Sequence, residues 1–357
     1  INNLLSPMFS AGFYYKTFMG PKGFWKNVYE PLIRRTAGLG KPPREFKSKS
    51  IHLHHNIDIL IVGGGLAGLL AAKKLAGTDQ DVLLVERDNN LGGILRNSNK
   101  IKSIDGQKSA DWIEKTEWLL KSANNIKILK NTTVTTYNYK DHLIAIEDKT
   151  VGTPPDNNKP ELVMHKIRTK HTVLANGHIE RFLSFRNNDL PGVMLAASFE
   201  KYIHRYGVVA DTSPVIFTNN SSTFSLLKTM VDMNHKPKAY VDIRDSKKIE
   251  KETLELINNH NIPFYPKSEI EGCEGKNQIE KIFIRTKKDK TLKIKTSMLC
   301  ISGGLNPDIH LFTQSKGLVK WDEKILTFKP EKSFQNTITL GSVSGNFHFE
   351  KLVEEVN

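Results

Sequence analysis

The strongest pattern along the chain is an apolar run at residues 58–72 that breaks on glycines and then resumes with helical spacing. Residues 59–62 are aliphatic without alternation, which predicts a strand buried on both faces of a parallel sheet. A helix is predicted over residues 69–75, and a second aliphatic strand over residues 82–85 ends in Glu86. The pattern therefore predicts a complete β-α-β unit.

The turn of this unit carries the spacing G-x-G-x-x-G at Gly63, Gly65 and Gly68. The first glycine allows a tight turn, the second lets the backbone approach a pyrophosphate, and the third lets the helix pack against the strand. The N–H groups and the dipole at the start of the helix favour phosphates. Glu86 follows Gly68 by 18 positions, close to the roughly 20-residue spacing at which an acid reaches the ribose hydroxyls. We therefore predict a dinucleotide site rather than a glycine-rich structural turn.

Other stretches are predicted to complete this site. Glu86 favours a dinucleotide whose ribose is not phosphorylated, although the adjacent Arg87 keeps a ribose 2′-phosphate as an alternative. Residues 133–134 are predicted to face the adenine, residues 175–177 to match the Ala-Thr-Gly strand end of two-domain flavoprotein folds, and Gly341 to close over the middle of the dinucleotide. The predicted cofactor-binding residues are Gly63, Gly64, Gly65, Leu66, Ala67, Gly68, Glu86, Arg87, Gly92, Gly93, Thr133, Val134, Ala175, Asn176, Gly177 and Gly341.

A second α/β unit is predicted over residues 212–296, where strands and helices alternate again. Its turn at residues 218–221 reads Thr-Asn-Asn-Ser without a glycine. We therefore predict that this unit does not hold a pyrophosphate in the usual way, with nucleotide binding as the alternative. The predicted fold is α/β, with two Rossmann-like three-layer domains and an N-terminal loop-rich arm over residues 1–55. The first domain comprises residues 56–211 and 297–357, and residues 212–296 are inserted in it.

Several shorter segments have predictions of their own. Residues 126–129 and 132–134 are predicted as short strands, the second of them as the third strand of the first sheet. An exposed loop is predicted over residues 152–160, between two antiparallel strands. Residues 285–295 are predicted as a solvated hairpin, and residues 298–301 as a buried strand returning to the first domain.

The N-terminal arm combines aromatic and basic residues. Eight aromatic residues lie between Phe9 and Tyr29, and residues 1–50 hold nine Lys or Arg against two Glu. We predict either that the arm packs on a neighbouring domain or subunit, or that it is an ordinary extension on its own domain. The formal charge of +14 raises the alternative of a nucleic-acid-binding protein. Because the basic residues are spread along the chain, a solvated surface is the preferred interpretation.

Cysteine usage limits the chemistry. The chain of 357 residues has only Cys273 and Cys300, which excludes a disulfide scaffold and a C-x-x-C redox pair, and with it the chemistry of thioredoxin reductases. Cys300 lies on a predicted buried strand and is interpreted as an inert core thiol rather than a nucleophile. No apolar run approaches the roughly 20 residues that span a bilayer. We therefore predict a reducing, cytoplasmic location without a membrane partner.

Candidate reactive groups are few. His52, His54 and His55 are predicted to lie in a loop before the first strand, because no carboxylate or cysteine accompanies them as a metal ligand. Residues 178, 180 and 181 are His, Glu and Arg after a predicted strand end, where structural hydrogen bonding is preferred over a reactive role. We name no catalytic residue and no metal site, since a bound nicotinamide or flavin would carry hydride chemistry itself.

Several peptides together resemble one family, the α subunit of heterotetrameric sarcosine oxidase, over nearly the whole chain. They are more specific than the glycine spacing, because ordinary FAD and NAD domains lack them. The peptides lie at residues 12–19, 29–35, 37–40, 187–195, 205–208, 218–220, 302–304, 306–307 and 310–312. Asn176, His178 and Leu305 depart from the family pattern, which leaves a related amine or opine oxidase open.

The resemblance implies a subunit of an enzyme that oxidatively demethylates sarcosine to glycine with oxygen, forms hydrogen peroxide and delivers a one-carbon unit to tetrahydrofolate. It implies that this chain binds NAD, whereas FAD and FMN are expected on a flavin-bearing β subunit within a complex that also has smaller subunits. The folate-binding part would lie further along the α chain. The enzyme alternative is a stand-alone FAD-dependent oxidoreductase, and nucleic acid is not an expected partner.

Overall fold

The computed structural model describes residues 20–38, 40, 50–98, 101–152, 160–287, 289–348 and 352. Contacts divide the chain into two units, Ile1–Ser48 and Lys49–Asn357. In the first unit a π-helical turn, Trp25–Tyr29, leads into helix α1, Glu30–Thr36, whose Arg34 and Glu30 form an ion pair of 2.5 Å. Phe9 and most of the other predicted arm aromatics lie outside the described residues. How the arm packs therefore stays a prediction.

The second unit contains all the described strands. In chain order they are β1 Ser50–Val62, β2 Val82–Val85, β3 Ser103–Ile104, β4 Gln107–Lys108, β5 Ile126–Leu129, β6 Thr132–Asn138, β7 His142–Asp148, β8 Leu162–Leu174, β9 His178–Glu180, β10 Val193–Leu195, β11 Val215–Thr218, β12 Ala239–Asp242, β13 Phe264–Pro266, β14 Glu269–Glu274, β15 Lys281–Arg285, β16 Thr291–Lys295, β17 Leu299–Ser302, β18 Leu305–Pro307, β19 Leu318–Asp322, β20 Thr327–Lys332 and β21 Thr337–Thr339.

Its helices follow the same order. They are α2 Leu66–Leu75, α3 Ile94–Asn97, α4 Ser109–Ser122, α5 Ala196–Tyr206, α6 Phe224–Asp232, α7 Lys251–Asn259 and α8 His310–Gln314, with 3₁₀ turns at Ser246–Lys248 and Gly341–Ser344. Helix α2 begins three residues earlier than predicted, because the turn glycines already place Leu66 in its first turn. Within the described residues, no helix is both long enough and apolar enough to cross a membrane.

The first sheet has seven strands in the order β5-β2-β1-β8-β7-β6, with β21 also paired to β8. Its parallel part, β5, β2, β1, the end of β8 and β21, is covered on one face by α2 and α4. The strands β6, β7 and the first half of β8 are antiparallel and pack over the other face with α8. The parallel core confirms the predicted α/β architecture.

Two details of this sheet differ from the sequence predictions. The histidines at positions 52, 54 and 55 lie within strand β1 rather than in a loop, because residues 50–57 pair with β8. The third parallel strand is β5, whereas residues 132–134 belong to the antiparallel strand β6, which pairs with β7. The predicted loop over residues 152–160 lies largely outside the described residues.

The second sheet is parallel and has the order β10-β17-β11-β12-β13. Helices α5, α6 and α7 contribute to the core on one face, and the antiparallel sheet β14-β15-β16 packs on the other. The sequence predicts that strand β17 returns to the first domain, and this prediction is wrong. It pairs with both β10 and β11, because its fully buried residues complete the centre of this second sheet.

The second sheet is inserted between strands β8 and β21 of the first sheet, as predicted. The hairpin predicted over residues 285–295 is present as strands β15 and β16. The predicted boundaries of the two Rossmann-like domains stay a prediction.

Candidate functional site

Two of the three fingerprint glycines are required by packing within the protein. A Cβ at Gly63 would lie 2.4 Å from the carbonyl oxygen of Ala175, and the residue has a φ of +104°. A Cβ at Gly68 would lie 1.8 Å from the carbonyl oxygen of Gly63. Strand β1, the end of β8 and helix α2 therefore approach each other only because both positions lack a side chain.

For the remaining fingerprint glycine, Gly65, no packing contact among the described residues explains why a side chain is absent. A Cβ at Gly65 would have no heavy atom nearer than the Cα of Gly93, at 4.0 Å, and its φ of −74° suits any L-residue. Gly93, with a φ of +50°, faces it across the turn. Space in front of Gly65, at the start of the ten-residue helix α2, is what the approach of a pyrophosphate requires.

Glu86 is held by backbone donors on both sides. Its Oε2 accepts a hydrogen bond of 2.6 Å from the N–H of Gly64, and its Oε1 accepts one of 2.8 Å from the N–H of Asp88. Burial raises the pKa of Glu86 above its ordinary value, although these two hydrogen bonds oppose the shift. Arg87 is exposed. The carboxylate therefore has a fixed position beside the glycine turn.

The end of strand β8 forms another wall. The N–H of Ala175 donates to the carbonyl oxygen of Val62, which joins residues 175–176 to the glycine turn. Asn176 donates through Nδ2 to the carbonyl oxygen of Asp308 at 2.7 Å, whereas its Oδ1 is buried without a hydrogen-bond partner. Buried acceptors are usually satisfied. Among the described residues, no donor reaches this oxygen.

Glycines from two other segments meet the same turn. The N–H of Gly92 donates to the carbonyl oxygen of Gly64 at 2.8 Å. Gly341, which has a φ of +76°, approaches the start of α2 so closely that a Cβ there would lie 3.0 Å from the Cβ of Ala67. The structure thus brings most of the sequence-predicted residues together around the turn. We call the set Gly63–Gly68, Glu86, Gly92, Gly93, Ala175, Asn176 and Gly341 the cradle.

Besides the exposed Arg87, three predicted residues lie less directly at the cradle. Thr133 and Val134 pair with β7, and the neighbouring Thr132 is the residue whose N–H bonds to the carbonyl oxygen of Glu86. Gly177 accepts through its carbonyl oxygen from the N–H of Asp308. These contacts leave their role in cofactor binding a prediction.

The cradle fits a dinucleotide by two independent observations, the space in front of Gly65 and the unsatisfied Oδ1 of Asn176. Comparison with known proteins agrees with this geometry. The sequence profile of the family described as pyridine nucleotide-disulphide oxidoreductase matches residues 57–330. The chain belongs to the pyridine nucleotide-disulphide oxidoreductase family. It is therefore an oxidoreductase-type chain with the FAD/NAD(P)-binding fold.

Curated relatives confirm the more specific resemblance. The chain is 32% identical to sarcosine oxidase subunit alpha of Rhizobium meliloti (strain 1021), over 96% of this chain and 34% of that protein. It is 31% identical to the protein of the same description from Corynebacterium sp. (strain P-1), over 83% of this chain and 31% of that protein. The chain thus spans about a third of the length of these relatives.

Solved structures with low sequence identity share the fold. Thioredoxin reductase of T. acidophilum superposes with a TM-score of 0.64 at 16% identity, covering 85% of this chain and 95% of that one. L-proline dehydrogenase from P. horikoshii gives a TM-score of 0.57 at 19% identity, covering 85% of this chain and 54% of that one. The arrangement of the two sheets is therefore that of known oxidoreductases.

This member of the pyridine nucleotide-disulphide oxidoreductase family has two separate, buried thiols. Cys273 and Cys300 are both free. The Sγ of Cys273 donates to the carbonyl oxygen of Asn187 at 2.8 Å. Burial raises the pKa of both thiols, that of Cys300 well above its ordinary value. Thiols that remain protonated and buried are poor nucleophiles.

In the second β-α-β unit of this family member, side chains of the turn and of neighbouring residues fill the turn. Asn220 donates through Nδ2 to the carbonyl oxygen of Ser302 at 3.0 Å, and the hydroxyls of Ser222 and Ser302 lie 2.9 Å apart. Arg244 donates to the hydroxyl of Ser221 at 3.0 Å and pairs with the fully buried Asp242 at 2.9 Å. Side chains therefore occupy the place that the glycine turn keeps open in the first unit.

The three polar residues after β8 are engaged by the fold. His178 Nδ1 lies 2.9 Å from the hydroxyl of Ser342. Glu180 Oε2 accepts from the N–H of Ala197 at 2.9 Å, and burial raises the pKa of Glu180 to about 7. Arg181 Nη1 donates to the carbonyl oxygen of Leu326 at 2.7 Å. These contacts support the structural interpretation of the segment.

Two polar clusters were not foreseen from the sequence. His55 Nε2 lies 2.9 Å from His165 Nδ1, and His165 Nε2 lies 3.0 Å from Glu147. Across the described residues, no group of three or more His, Cys, Asp or Glu is arranged to hold a metal ion. The second cluster joins Arg205 of α5 to Asp88, 117 positions away in sequence. No local spacing could have revealed either cluster, because each joins strands or helices that are distant along the chain.

Proposed function

We propose that this chain is the NAD-binding portion of the α subunit of a sarcosine oxidase-like complex. The observation that carries the proposal is the 32% identity over 96% of the chain to sarcosine oxidase subunit alpha, in a chain that retains an open glycine cradle. The complex would oxidatively demethylate sarcosine to glycine, form hydrogen peroxide and pass a one-carbon unit to tetrahydrofolate in the cytoplasm.

The cradle supports an NAD-type ligand by its chemistry. The first turn of α2, together with the backbone at Gly65 and Gly93, would hold the pyrophosphate. Glu86 would accept hydrogen bonds from the adenosine ribose hydroxyls, which favours an unphosphorylated ribose. Asn176 Oδ1 would accept from a donor on the ligand. When bound, the nicotinamide would supply hydride-transfer chemistry, and the chain's own residues would bind and orient it.

Partners follow from the same proposal. We expect a flavin-bearing β subunit that carries FAD and FMN, smaller subunits, and a tetrahydrofolate-binding part beyond the similarity region. No catalytic residue is proposed within this chain. Oxidation of the amine would take place on the flavin-bearing partner.

The nucleotide assignment can be tested on the purified chain. The chain would be examined by absorption spectroscopy, then denatured, and the released nucleotide identified by mass. We expect NAD and no flavin absorption. Released FAD would contradict the NAD assignment and favour a stand-alone FAD-dependent oxidoreductase, which would be yellow and active with an electron acceptor by itself.

The assembly can be tested separately. The full-length protein would be purified through a tag from its own cells, and sarcosine-dependent hydrogen peroxide formation would be compared between this preparation and the isolated chain. We expect activity and flavin only in the assembled preparation. An assembled flavoprotein that oxidises another methylated amine but not sarcosine would contradict sarcosine as the substrate. The proposal that this chain is a subunit of such a complex would stand.

A further inference from the structure

Helix α5 belongs to the second sheet, yet its last turn contacts the loop that follows the ribose acid. Arg205 donates through Nη1 to Asp88 Oδ2 at 2.5 Å and through Nη2 to Asn89 Oδ1 at 2.9 Å. The Arg205 side chain is only 11% exposed. A planar guanidinium that engages two neighbouring side chains fixes their loop more firmly than a single point charge does.

The loop that Arg205 contacts, residues 88–89, also binds Glu86. The N–H of Asp88 donates to Glu86 Oε1 at 2.8 Å, and the N–H of Gly64 donates to Glu86 Oε2 at 2.6 Å. A continuous series of contacts therefore runs from Arg205 through Asp88 and Glu86 to the glycine turn. The Asp88 carboxylate also contributes to raising the pKa of Glu86. Its pairing with Arg205 offsets that like charge and favours an ionised Glu86.

Helix α5 holds the other side of the cradle as well. The buried Glu200 accepts from the hydroxyl of Ser225 at 2.5 Å, and that hydroxyl lies 2.7 Å from the hydroxyl of Ser98. Ser98 directly follows α3, the short helix that begins after Gly93. Ser225 of α6 thus links Glu200 of α5 to Ser98, and α5 also packs directly against α3.

From this geometry we propose that Arg205 is a positioning residue, which holds the 88–89 loop so that Glu86 meets the hydroxyls of the adenosine ribose. This inference rests on the proposed function, since it requires a dinucleotide in the cradle. It adds a determinant of ribose recognition that lies outside the first β-α-β unit. It also gives the inserted sheet a role in cofactor binding that does not require its own turn to bind a nucleotide.

The test compares two ligands by calorimetric titration of the full chain: NAD and its analogue without the 2′-hydroxyl of the adenosine ribose. In the wild type the analogue is expected to bind about tenfold more weakly, because one hydrogen bond to a charged acceptor is lost. In Arg205→Ala the affinity for NAD should fall by about five- to tenfold, and the discrimination between the ligands should shrink to about twofold. A merely structural role would weaken both ligands equally and leave their ratio unchanged.

Two further variants complete the experiment. Asp88→Ala removes the same ion pair from the other side and should reproduce the loss of discrimination, and the double variant should add little to either single change. Asp88→Ala keeps the test decisive even when Arg205→Ala does not fold. Lys201→Ala, which removes a cation one turn earlier on the same helix, should leave both affinities unchanged.

The outcomes separate this inference from the proposed function. Wild-type discrimination retained in both Arg205→Ala and Asp88→Ala would overturn the positioning role. A wild type that binds NAD and its deoxy analogue equally would also overturn it, because Glu86 would then not recognise the ribose, whereas the dinucleotide site itself would stand. A wild-type chain that binds neither ligand would contradict the proposed NAD binding, and the inference about Arg205 would fail with it.

Discussion

The two parallel sheets contain β-α-β units of the same construction, but their turns differ in what fills them. In the first, Val62 pairs with Val85, and the chain then enters the glycine turn. In the second, Phe217 pairs with Val241, and the chain enters a turn made of Asn, Ser and Thr residues. The first turn has open space before Gly65, whereas the second is crossed by hydrogen bonds between its own side chains.

The acids after the second strands show the same contrast. Among the described residues, Glu86 accepts hydrogen bonds from the backbone N–H groups of Gly64 and Asp88, which fix its carboxylate in place. Asp242 sits at the corresponding strand end and is engaged by the guanidinium of Arg244. The shared fold therefore does not determine ligand binding. Whether the turn is cleared of side chains and whether the acid is left available are separate features that the local sequence supplies.

The largest expected effect of a single change lies in the second unit. Arg244→Ala would leave the buried carboxylate of Asp242 without its charged partner, which we expect to lower the free energy of unfolding by about 3 kcal/mol. The measurement is urea unfolding. NAD affinity should be unchanged if the second turn takes no part in binding. Arg285→Ala is the matched control, because it removes an exposed arginine paired with Glu269 and should cost no more than about 1 kcal/mol.

The same variant has a pH signature. Burial raises the pKa of Asp242 above its ordinary value, and Arg244 opposes the shift. A folded pKa above the unfolded one means that stability is lost as the pH rises through the folded pKa. Removing Arg244 raises that pKa further, so the stability deficit of the variant should grow as the pH rises above the ordinary aspartate pKa of 3.8. A deficit independent of pH would show that lost packing, not the unpaired charge, is responsible.

The next largest effect separates the two kinds of glycine in the first unit. Gly65→Ala adds a methyl group where no protein atom interferes, so we expect nearly unchanged thermal unfolding but a loss of NAD affinity of at least about tenfold, roughly 1.4 kcal/mol. Gly68→Ala places a Cβ against the carbonyl oxygen of Gly63, and should reduce stability by about 1–3 kcal/mol or more. Gly65→Ala with wild-type NAD affinity would contradict the pyrophosphate position.

The last expected effect concerns Glu180, which contacts the start of α5. Its folded pKa of about 7 lies above its ordinary 4.5, so the folded state binds a proton more tightly than the unfolded state. The contribution to stability is complete below about pH 4.5 and is lost as the pH rises through about 7. Glu180→Gln should therefore flatten the decline of the melting temperature over this range. An identical pH profile in wild type and variant would place the titrating group elsewhere.

Much of the fold follows from short-range patterns. The unbroken aliphatic runs before Gly63 and before Glu86 predict buried parallel strands, and the glycine spacing predicts the turn between them. The sequence predicts the wrong sheet for strand β17, since a buried run such as Leu299–Ser302 indicates burial but not which strands it pairs with. The histidines before Asp58 are predicted to lie in a loop because no metal-ligand partner accompanies them in the sequence, whereas the structure places them in a strand that pairs with β8.

The sequence by itself determined the parallel β-α-β units, the position of the glycine turn and the absence of a C-x-x-C pair from these 357 residues. It could do so because backbone conformation, burial and residue chemistry act locally. Only the tertiary structure decided which glycine faces open space, that the side-chain oxygen of Asn176 is left without a donor among the described residues, and how Arg205 reaches the loop beside Glu86. Those features depend on distances between segments far apart in the chain, and such distances are set by packing of the whole unit rather than by local spacing.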